Sequence, residues 1–236
     1  MKEMKLILLG AGDLSREILA AALELKPDWP GGDISWKPVA FIDEDPGKIG
    51  QNFENLPVIA YDELKRFNPS DVSFICGVGD PTSRVNMIMH LLQAFPRASF
   101  ATIIHRSAVI MGGTAVAEGV YIGPHATVAI GCRVEAHVVL NFNVSIGHDC
   151  LIHSYAVVSP GCLISGRTEI GEKSFLGSGA ITYPGIKIGV NCSISAGVSV
   201  ARHLANDKSL IIKPNTMVIP RGSENEQVPR RNKWVT

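Results

Sequence analysis

The chain has 236 residues, 46% of them hydrophobic, and its 22 basic and 22 acidic side chains cancel to a formal net charge of zero. That length holds one large domain or two small ones. No basic surplus is available to neutralise a phosphate backbone, so nucleic acid is not an expected partner. Five cysteines are too few and too scattered for a disulfide framework.

The N-terminus MKEMKLILLGAG places a short apolar run before a glycine turn. It reads as a first strand rather than a signal peptide, and no apolar run in the chain reaches membrane-spanning length. A soluble cytoplasmic protein is expected. After KLILLG, a buried parallel strand, LSREILAAALEL has helical periodicity. VAFID (strand), YDELKRF (helix), DVSFICGVG (strand) and PTSRVNMIMHLLQAF (helix) follow. This alternation predicts a small doubly wound α/β domain over residues 1–99. Its ligand belongs at the carboxyl ends of the strands. Those ends carry Gly10-Ala11-Gly12-Asp13, Asp43-Glu44 and Gly77-Val78-Gly79-Asp80. The Gly10 to Gly12 run lacks the third glycine of a dinucleotide loop and is only a weak, partial match to one.

From about residue 100 the pattern changes. Stepping by six from Ile104 to Val200 gives an Ile, Leu or Val at every place except Thr182. A sustained six-residue period predicts a parallel β-helix of hexapeptide repeats, each repeat a short strand and a turn. The expected fold class is therefore an α/β N-terminal domain followed by a left-handed parallel β-helix over 100–205, with a C-terminal extension over 206–236. No structure is expected of the polar tail from Ser223. The aliphatic residue of each repeat points inward and stacks on its equivalents, so each repeat depends on its neighbours. The residue two before it also points inward, where only small side chains are expected. Cys132, Cys150, Cys162 and Cys192 fall there, with Ala108, Thr114, Ala126, Ala156, Thr168, Ser174 and Ala180. These cysteines read as core filler, as does Cys76 in an apolar strand.

The two residues after each aliphatic position are expected at the corner. Pro124, Pro160 and Pro184 share the second corner place, which a turn tolerates and a strand ladder does not. His148, within VSIGHDCLIHSY, shares it too. One corner edge then runs Gly112, Ile130, His148, Gly166, Pro184, Arg202; another runs Arg106, Pro124, Phe142, Pro160, Ser178, Ala196. His148 should project outward with Gly166 one coil further on. His153, in a first corner place, reads as solvated, and His125 and His137 read as surface residues.

FATIIHRSAVI, LNFNVSIGHDCLI, VVSPG and LGSGAITYPGIKIG, following a small α/β domain, resemble segments of the bacterial sugar acyltransferases with hexapeptide repeats. That family includes N-acetyltransferases of nucleotide-linked 4-amino sugars and sialic acid O-acetyltransferases. The resemblance extends to about residue 205. It implies a homotrimer with acetyl-CoA in a groove between neighbouring β-helices. It implies His148 as general base and Asp149 as the acid that modulates it. Gly166 matches the position whose backbone meets the thioester oxygen, and Ser178 matches a backbone contact to the pantetheine arm. Ala196 lies beyond Ser178 on the same edge. Asn141 matches a residue near the acceptor group. Asp43, Glu44 and Gly79 match acceptor-contact positions, and Asp13, Leu14 and Ser15 occupy the first-loop contact positions. Two departures stand out. Val157 replaces a histidine found nine residues after the base in many members. GAGDLSRE replaces GxGGHGR, with Leu14 for its histidine and Ser15 for a glycine. Arg167, Lys187, Arg202 and Lys213 are candidates for CoA phosphates.

The implied chemistry is sound. An amine or hydroxyl attacking a thioester must lose a proton, and a neutral imidazole suits that task. Negative charge developing on the thioester oxygen needs an N–H donor. The expected function is acyl-CoA-dependent N-acetylation of a nucleotide-linked amino sugar, with sugar or sialic acid O-acetylation as the alternative and acyl length open. No metal is expected. The hexapeptide fold also hosts zinc hydratases of the carbonic anhydrase type, and His148 and His153 have the five-residue spacing of two of that family's ligands. The third would fall at Gly112, whereas zinc needs three protein ligands plus water. A noncatalytic nucleotide-binding β-helix is the remaining reading.

Overall fold

The structure is a computed structural model that describes residues 2–25, 34–206 and 217–218. Lys213 and the tail from Ser223 lie outside the described residues.

The N-terminal part is built on strands β1 (Lys2–Leu9), β2 (Ile34–Ile42), β3 (Asn52–Phe53), β4 (Leu56–Ile59), β5 (Val72–Cys76) and β6 (Ser99–Phe100). They form one sheet in the order β3-β4-β2-β1-β5-β6, parallel except for the β3–β4 pair. Helices α1 (Asp13–Glu24) and α2 (Pro81–Ala94) follow β1 and β5. The segment expected as a helix at YDELKRF is a 3-10 helix, Tyr61–Arg66. The β3–β4 hairpin was not expected from the sequence. Its turn residues Glu54 and Asn55 have φ of 48° and 61°, the left-handed pair that matches the twist of a two-residue hairpin. Strand order reverses between β1 and β5, so the loops after those strands part and leave a crevice.

From β7 (Ile103–Ile104) to β23 (Ser199–Val200), two-residue strands recur every six residues. Each pairs in parallel with the strand one coil away, as in Tyr121↔Val139 and Thr127↔Ser145. Three sheets result, and this is a left-handed parallel β-helix. The second residue of each strand is the inward one, and from Ile122 to Val200 all are buried, Thr182 included. Each buried aliphatic contributes about 1.5–3 kcal/mol. The neighbouring inward register is roomier than expected. It holds the small residues and the cysteines, but also Val120, Val138, Val144, Ile186 and Val198, all buried. One β-helix sheet presents Ile103, Tyr121, Val139 and Val157 outward, and these pack with α1 and the N-terminal sheet into a second core. That seam positions the α/β domain against the β-helix.

The corner sits one residue later than the sequence suggested. The turn is formed by the second and third residues after each aliphatic position, and from Gly113 to Gly197 every third-place residue has positive φ. His153, one residue after Ile152, therefore precedes its turn. At the second place, Gly166, Ser178 and Ala196 have N–H groups with no acceptor among the described residues. Pro124, Pro160 and Pro184 fit the same place because nothing is lost with the missing donor.

His137 corrects another expectation. It is buried rather than on the surface, stacked on Tyr155 at 5.2 Å and edge-on to Phe100 at 4.5 Å. Burial first, and the nearby Arg84 charge second, push its pKa down from 6.5 to about 4. Full stability is present above pH 6.5. As pH falls toward 4, the unfolded chain takes up a proton that the folded chain refuses. The loss should reach about 3 kcal/mol, at about 1.4 kcal/mol per pH unit. His137→Asn keeps a residue tolerant of positive φ and removes the titration. Urea unfolding midpoints at pH 4.5 and pH 7 should differ less for this variant than for the parent. An unchanged difference would remove His137 as the source.

Candidate functional site

The crevice at the strand ends is a cleft of about 560 Å³ lined by Gly10 to Leu14, Asp43, Glu44, Lys48, Gly77 to Gly79, Ser83, Asn86 and Met87. Three loops predicted to meet a ligand do converge there. Asp43 organises the floor. Its Oδ2 accepts from the Ala11 N–H at 2.8 Å and from Lys48 Nζ at 3.0 Å, and its Oδ1 accepts from the Asp45 N–H at 2.9 Å. Burial works against the charged form, but these donors outweigh it and hold the Asp43 carboxyl below the usual range. Glu44 Oε1 lies 3.2 Å from the Tyr61 hydroxyl and 2.7 Å from His90 Nδ1, so it forms the rim with them. Asp13 is exposed at the start of α1. Lys48, whose Nζ also donates to the Ala11 carbonyl at 3.1 Å, brings the cleft a positive charge. No local motif marked it in the sequence.

Ser15 departs from its expected place. It has no exposed surface, and its hydroxyl donates to the Gly10 carbonyl. It closes the first loop from behind instead of lining the cleft. Gly77 is required by this packing, because a Cβ there would lie 2.0 Å from Ser15 Oγ.

A groove of about 600 Å³ continues from the cleft to the β-helix. Leu14 and Gly79 line both spaces, and Asn141, Val157, Ser159 and Phe175 form the far wall. Asn141 Oδ1 accepts from the Phe142 N–H at 2.7 Å. Val157, where the resembling family often has histidine, is buried in this wall.

His148 and Asp149 are the two turn residues at their corner. His148 Nδ1 lies 2.8 Å from Asp149 Oδ2. An ionised carboxylate only accepts, so Nδ1 donates to it, and in the neutral ring Nε2 is then the nitrogen with the lone pair. Asp149 reaches back because its φ is 57°, a turn conformation that aspartate tolerates. The imidazole packs over Gly166 on the next coil, where a Cβ would lie 2.5 Å from Nε2. An imidazole nitrogen and a backbone N–H with no acceptor among the described residues thus lie side by side at a half-exposed corner. Ser178 and Ala196 are exposed on a different corner edge.

His153 is not simply solvated. Its Nδ1 lies 3.2 Å from Glu135 Oε2 and its Nε2 3.2 Å from Glu169 Oε1. Both nitrogens are engaged away from His148. Among the described residues, no group of three or more His, Cys, Asp or Glu is placed to hold a metal ion. Lys187 is paired with Glu169 at 2.7 Å, whereas Arg167 is exposed. All five cysteines are buried free thiols. Burial pushes the Cys150 thiol up to about 11, and its Sγ donates to the Ser165 carbonyl at 3.3 Å. Such a thiol is a poor nucleophile at neutral pH. Cys150→Ala should therefore keep turnover within about threefold while costing about 1–2 kcal/mol of stability from the cavity. Loss of turnover in a folded variant would make the thiol chemical.

No described helix is long and apolar enough to cross a membrane. The family model for the PglD N-terminal domain matches residues 5–91, and that for the hexapeptide repeat of succinyl-transferase matches residues 167–202. GDP-perosamine N-acetyltransferase of Escherichia coli O157:H7 is 28% identical over 85 residues, covering 36% of this chain and 38% of that protein. The matched stretch is thus well under half of that relative's length. The acetyltransferase domain of PglB from Neisseria gonorrhoeae FA1090, solved with acetyl coenzyme A, superposes with a TM-score of 0.75 at 24% identity, over 90% of this chain and 98% of that one. A histidine-to-asparagine variant of perosamine N-acetyltransferase from Caulobacter crescentus, solved with CoA and GDP-perosamine, gives 0.73 at 21% identity, over 88% and 93%. At those identities the two structures establish a shared fold. The chain thus joins a stretch matching the PglD N-terminal domain to a β-helix that matches the hexapeptide repeat, a pairing consistent with the bacterial sugar acyltransferases with hexapeptide repeats.

Proposed function

We propose that the protein transfers an acetyl group from acetyl-CoA directly to an amine on a nucleotide-linked sugar. The observation that carries this reading is the His148–Asp149 pair, with Nε2 packed beside Gly166, whose N–H has no acceptor among the described residues. In this reading His148 Nε2 takes the amine proton as nitrogen attacks the thioester carbonyl. Asp149 stabilises the imidazolium that forms, and the Gly166 N–H stabilises the oxyanion. The C–N bond forms, the C–S bond breaks, and the departing CoA thiolate takes up a proton. No metal takes part.

Residues 1–99 serve as the acceptor domain, with Asp13, Leu14, Asp43, Glu44 and Gly79 around the nucleotide-linked sugar and Asn141 near its amine. Residues 100–205 serve as the acyltransfer domain. Ser178 and Ala196 meet the donor's pantetheine arm along the second edge. The site is completed between copies in a homotrimer, and a cytoplasmic location is part of the reading. Support for a trimer comes from the sheet containing β8 (Val109–Ile110), β17 (Leu163–Ile164) and β20 (Ile181–Thr182). On its outer face Leu163 and Ile181 are exposed on neighbouring strands, with Tyr183 at the rim, an apolar strip of the kind that marks association.

Acetyl-CoA turnover measured against amino-sugar nucleotides, simple amines and sialic acid tests the reading. Thioester consumption should be fastest with an amino-sugar nucleotide. A preference for sialic acid would establish O-acetylation instead, and no acetyl-CoA binding would remove the acyltransfer reading. Asp43→Ala should raise the acceptor KM about tenfold and leave the acetyl-CoA KM within twofold, because it loosens only the cleft floor. Equal changes in both constants would refute the division of labour between domains.

A further inference from the structure

Arg84 has no exposed surface and, among the described residues, no carboxylate partner. A fully buried arginine is rare, and one without an acid beside it is costly to keep. Its hydrogen bonds go to two main-chain carbonyls that lie far apart in sequence. Nε donates to the His137 carbonyl and Nη1 to the Val78 carbonyl, each at 2.8 Å. Val78 belongs to the loop after β5 and lines the acceptor cleft. His137 belongs to a β-helix turn and leads, through the strand Val139–Leu140, to Asn141. The residue after Val78 is Gly79. Gly79 and Asn141 face the same 600 Å³ groove from its two sides.

The loop from Gly77 to Asp80 is fixed at three points. At one end the Gly77 N–H donates to the Leu9 carbonyl at 2.9 Å, behind which Ser15 is packed. At the other end Asp80 caps α2 by accepting the Ser83 N–H at 2.8 Å. Both of these anchors lie within the α/β domain. Arg84 alone among the three reaches the β-helix.

The geometry points to Arg84 as a positioning residue that sets the acceptor cleft against the β-helix wall that carries Asn141 by tying the Val78 loop to the His137 turn. The inference rests on the acyltransfer reading above. A guanidinium suits the task because its planar fork offers donors in separate directions at fixed geometry. A lysine ammonium is a point charge on a flexible stem and cannot hold both carbonyls in that way. The aromatic packing of His137 against Phe100 and Tyr155 keeps the receiving turn rigid, so movement of the tie would be felt at the Val78 loop.

Arg84→Lys and Arg84→Met, compared with the parent, test this in two ways. Amide hydrogen exchange in the ligand-free protein should speed up at least tenfold over residues 77–80 and stay unchanged in the distant coils around residues 163–200. Acceptor kcat/KM should fall ten- to hundredfold, acetyl-CoA KM should stay within twofold, and Arg84→Lys should recover part of the loss seen in Arg84→Met. If Arg84→Met does not fold, Arg84→Lys carries both measurements. Unchanged loop exchange in a folded variant overturns the tie, whatever happens to turnover. Donor and acceptor constants moving together overturn it as well, since that is what general destabilisation produces. Faster loop exchange in a protein that turns over no acetyl-CoA would support the tie and remove the acyltransfer reading, so the two fail separately.

Discussion

His148→Ala should lower turnover by about 10²–10⁴, the usual contribution of a positioned base, or about 3–5 kcal/mol of transition-state stabilisation. The fold should not notice. The side chain is 49% exposed, and the backbone at this corner is held through the His148 carbonyl, which accepts the Arg167 N–H at 2.8 Å. Surface changes of this kind shift stability by about 0.5 kcal/mol or less. Acetyl-CoA binding should likewise persist. Asp149→Asn should also lower turnover, because a neutral amide stabilises the imidazolium that forms less well than a carboxylate does. His153→Ala should cost much less, its ring being committed to Glu135 and Glu169. Turnover near the parent value in His148→Ala, with the true acceptor supplied, would sink the mechanism.

The β-helix was legible because one interaction repeats. Each inward aliphatic meets the same environment as its neighbours, so the six-residue period survives individual exceptions such as Thr182. The place of the turn was less legible. Positive φ falls on Gly113 and Gly119 but also on Tyr155, Arg167 and Lys173, residues that carry no turn signal of their own. There the coil imposes the conformation on whatever residue occupies the place. The pairing of His148 with Asp149 was implied by the family resemblance, and the shared turn that brings them together is a finding of the structure. Arg84 could not be placed from the sequence, since its meaning comes from a carbonyl 53 residues away. The burial of His137 has the same origin, for its ring is covered by Phe100 and Tyr155. Ser15 was misjudged because a loop serine facing a ligand and one closing the loop from behind look alike until Gly77 is seen against it. The β3–β4 hairpin was missed because two- and four-residue strands are too short to show a period.

Gly166→Ala should cost turnover about 10²-fold while leaving the protein as stable as the parent. The added Cβ would lie 2.5 Å from His148 Nε2, 2.8 Å from Cδ2 and 2.9 Å from Cε1. Separations that short are not tolerated, so the imidazole must leave. It can do so cheaply, because it is half exposed and its far end is free to swing into solvent. Gly166 itself does not have a positive φ, so alanine brings no backbone strain there. The change also keeps the Gly166 N–H, which separates the position of the base from the oxyanion donor. A base displaced by about 1 Å is enough for a loss of this size. The double variant makes the test sharp. If Gly166→Ala acts only by moving His148, adding it to His148→Ala should cost nothing further, the non-additivity expected of residues in direct contact. A second 10²-fold loss in the double variant would mean that Gly166 governs access of the donor by itself, and the packing of the imidazole on Gly166 would not be what sets the base in place.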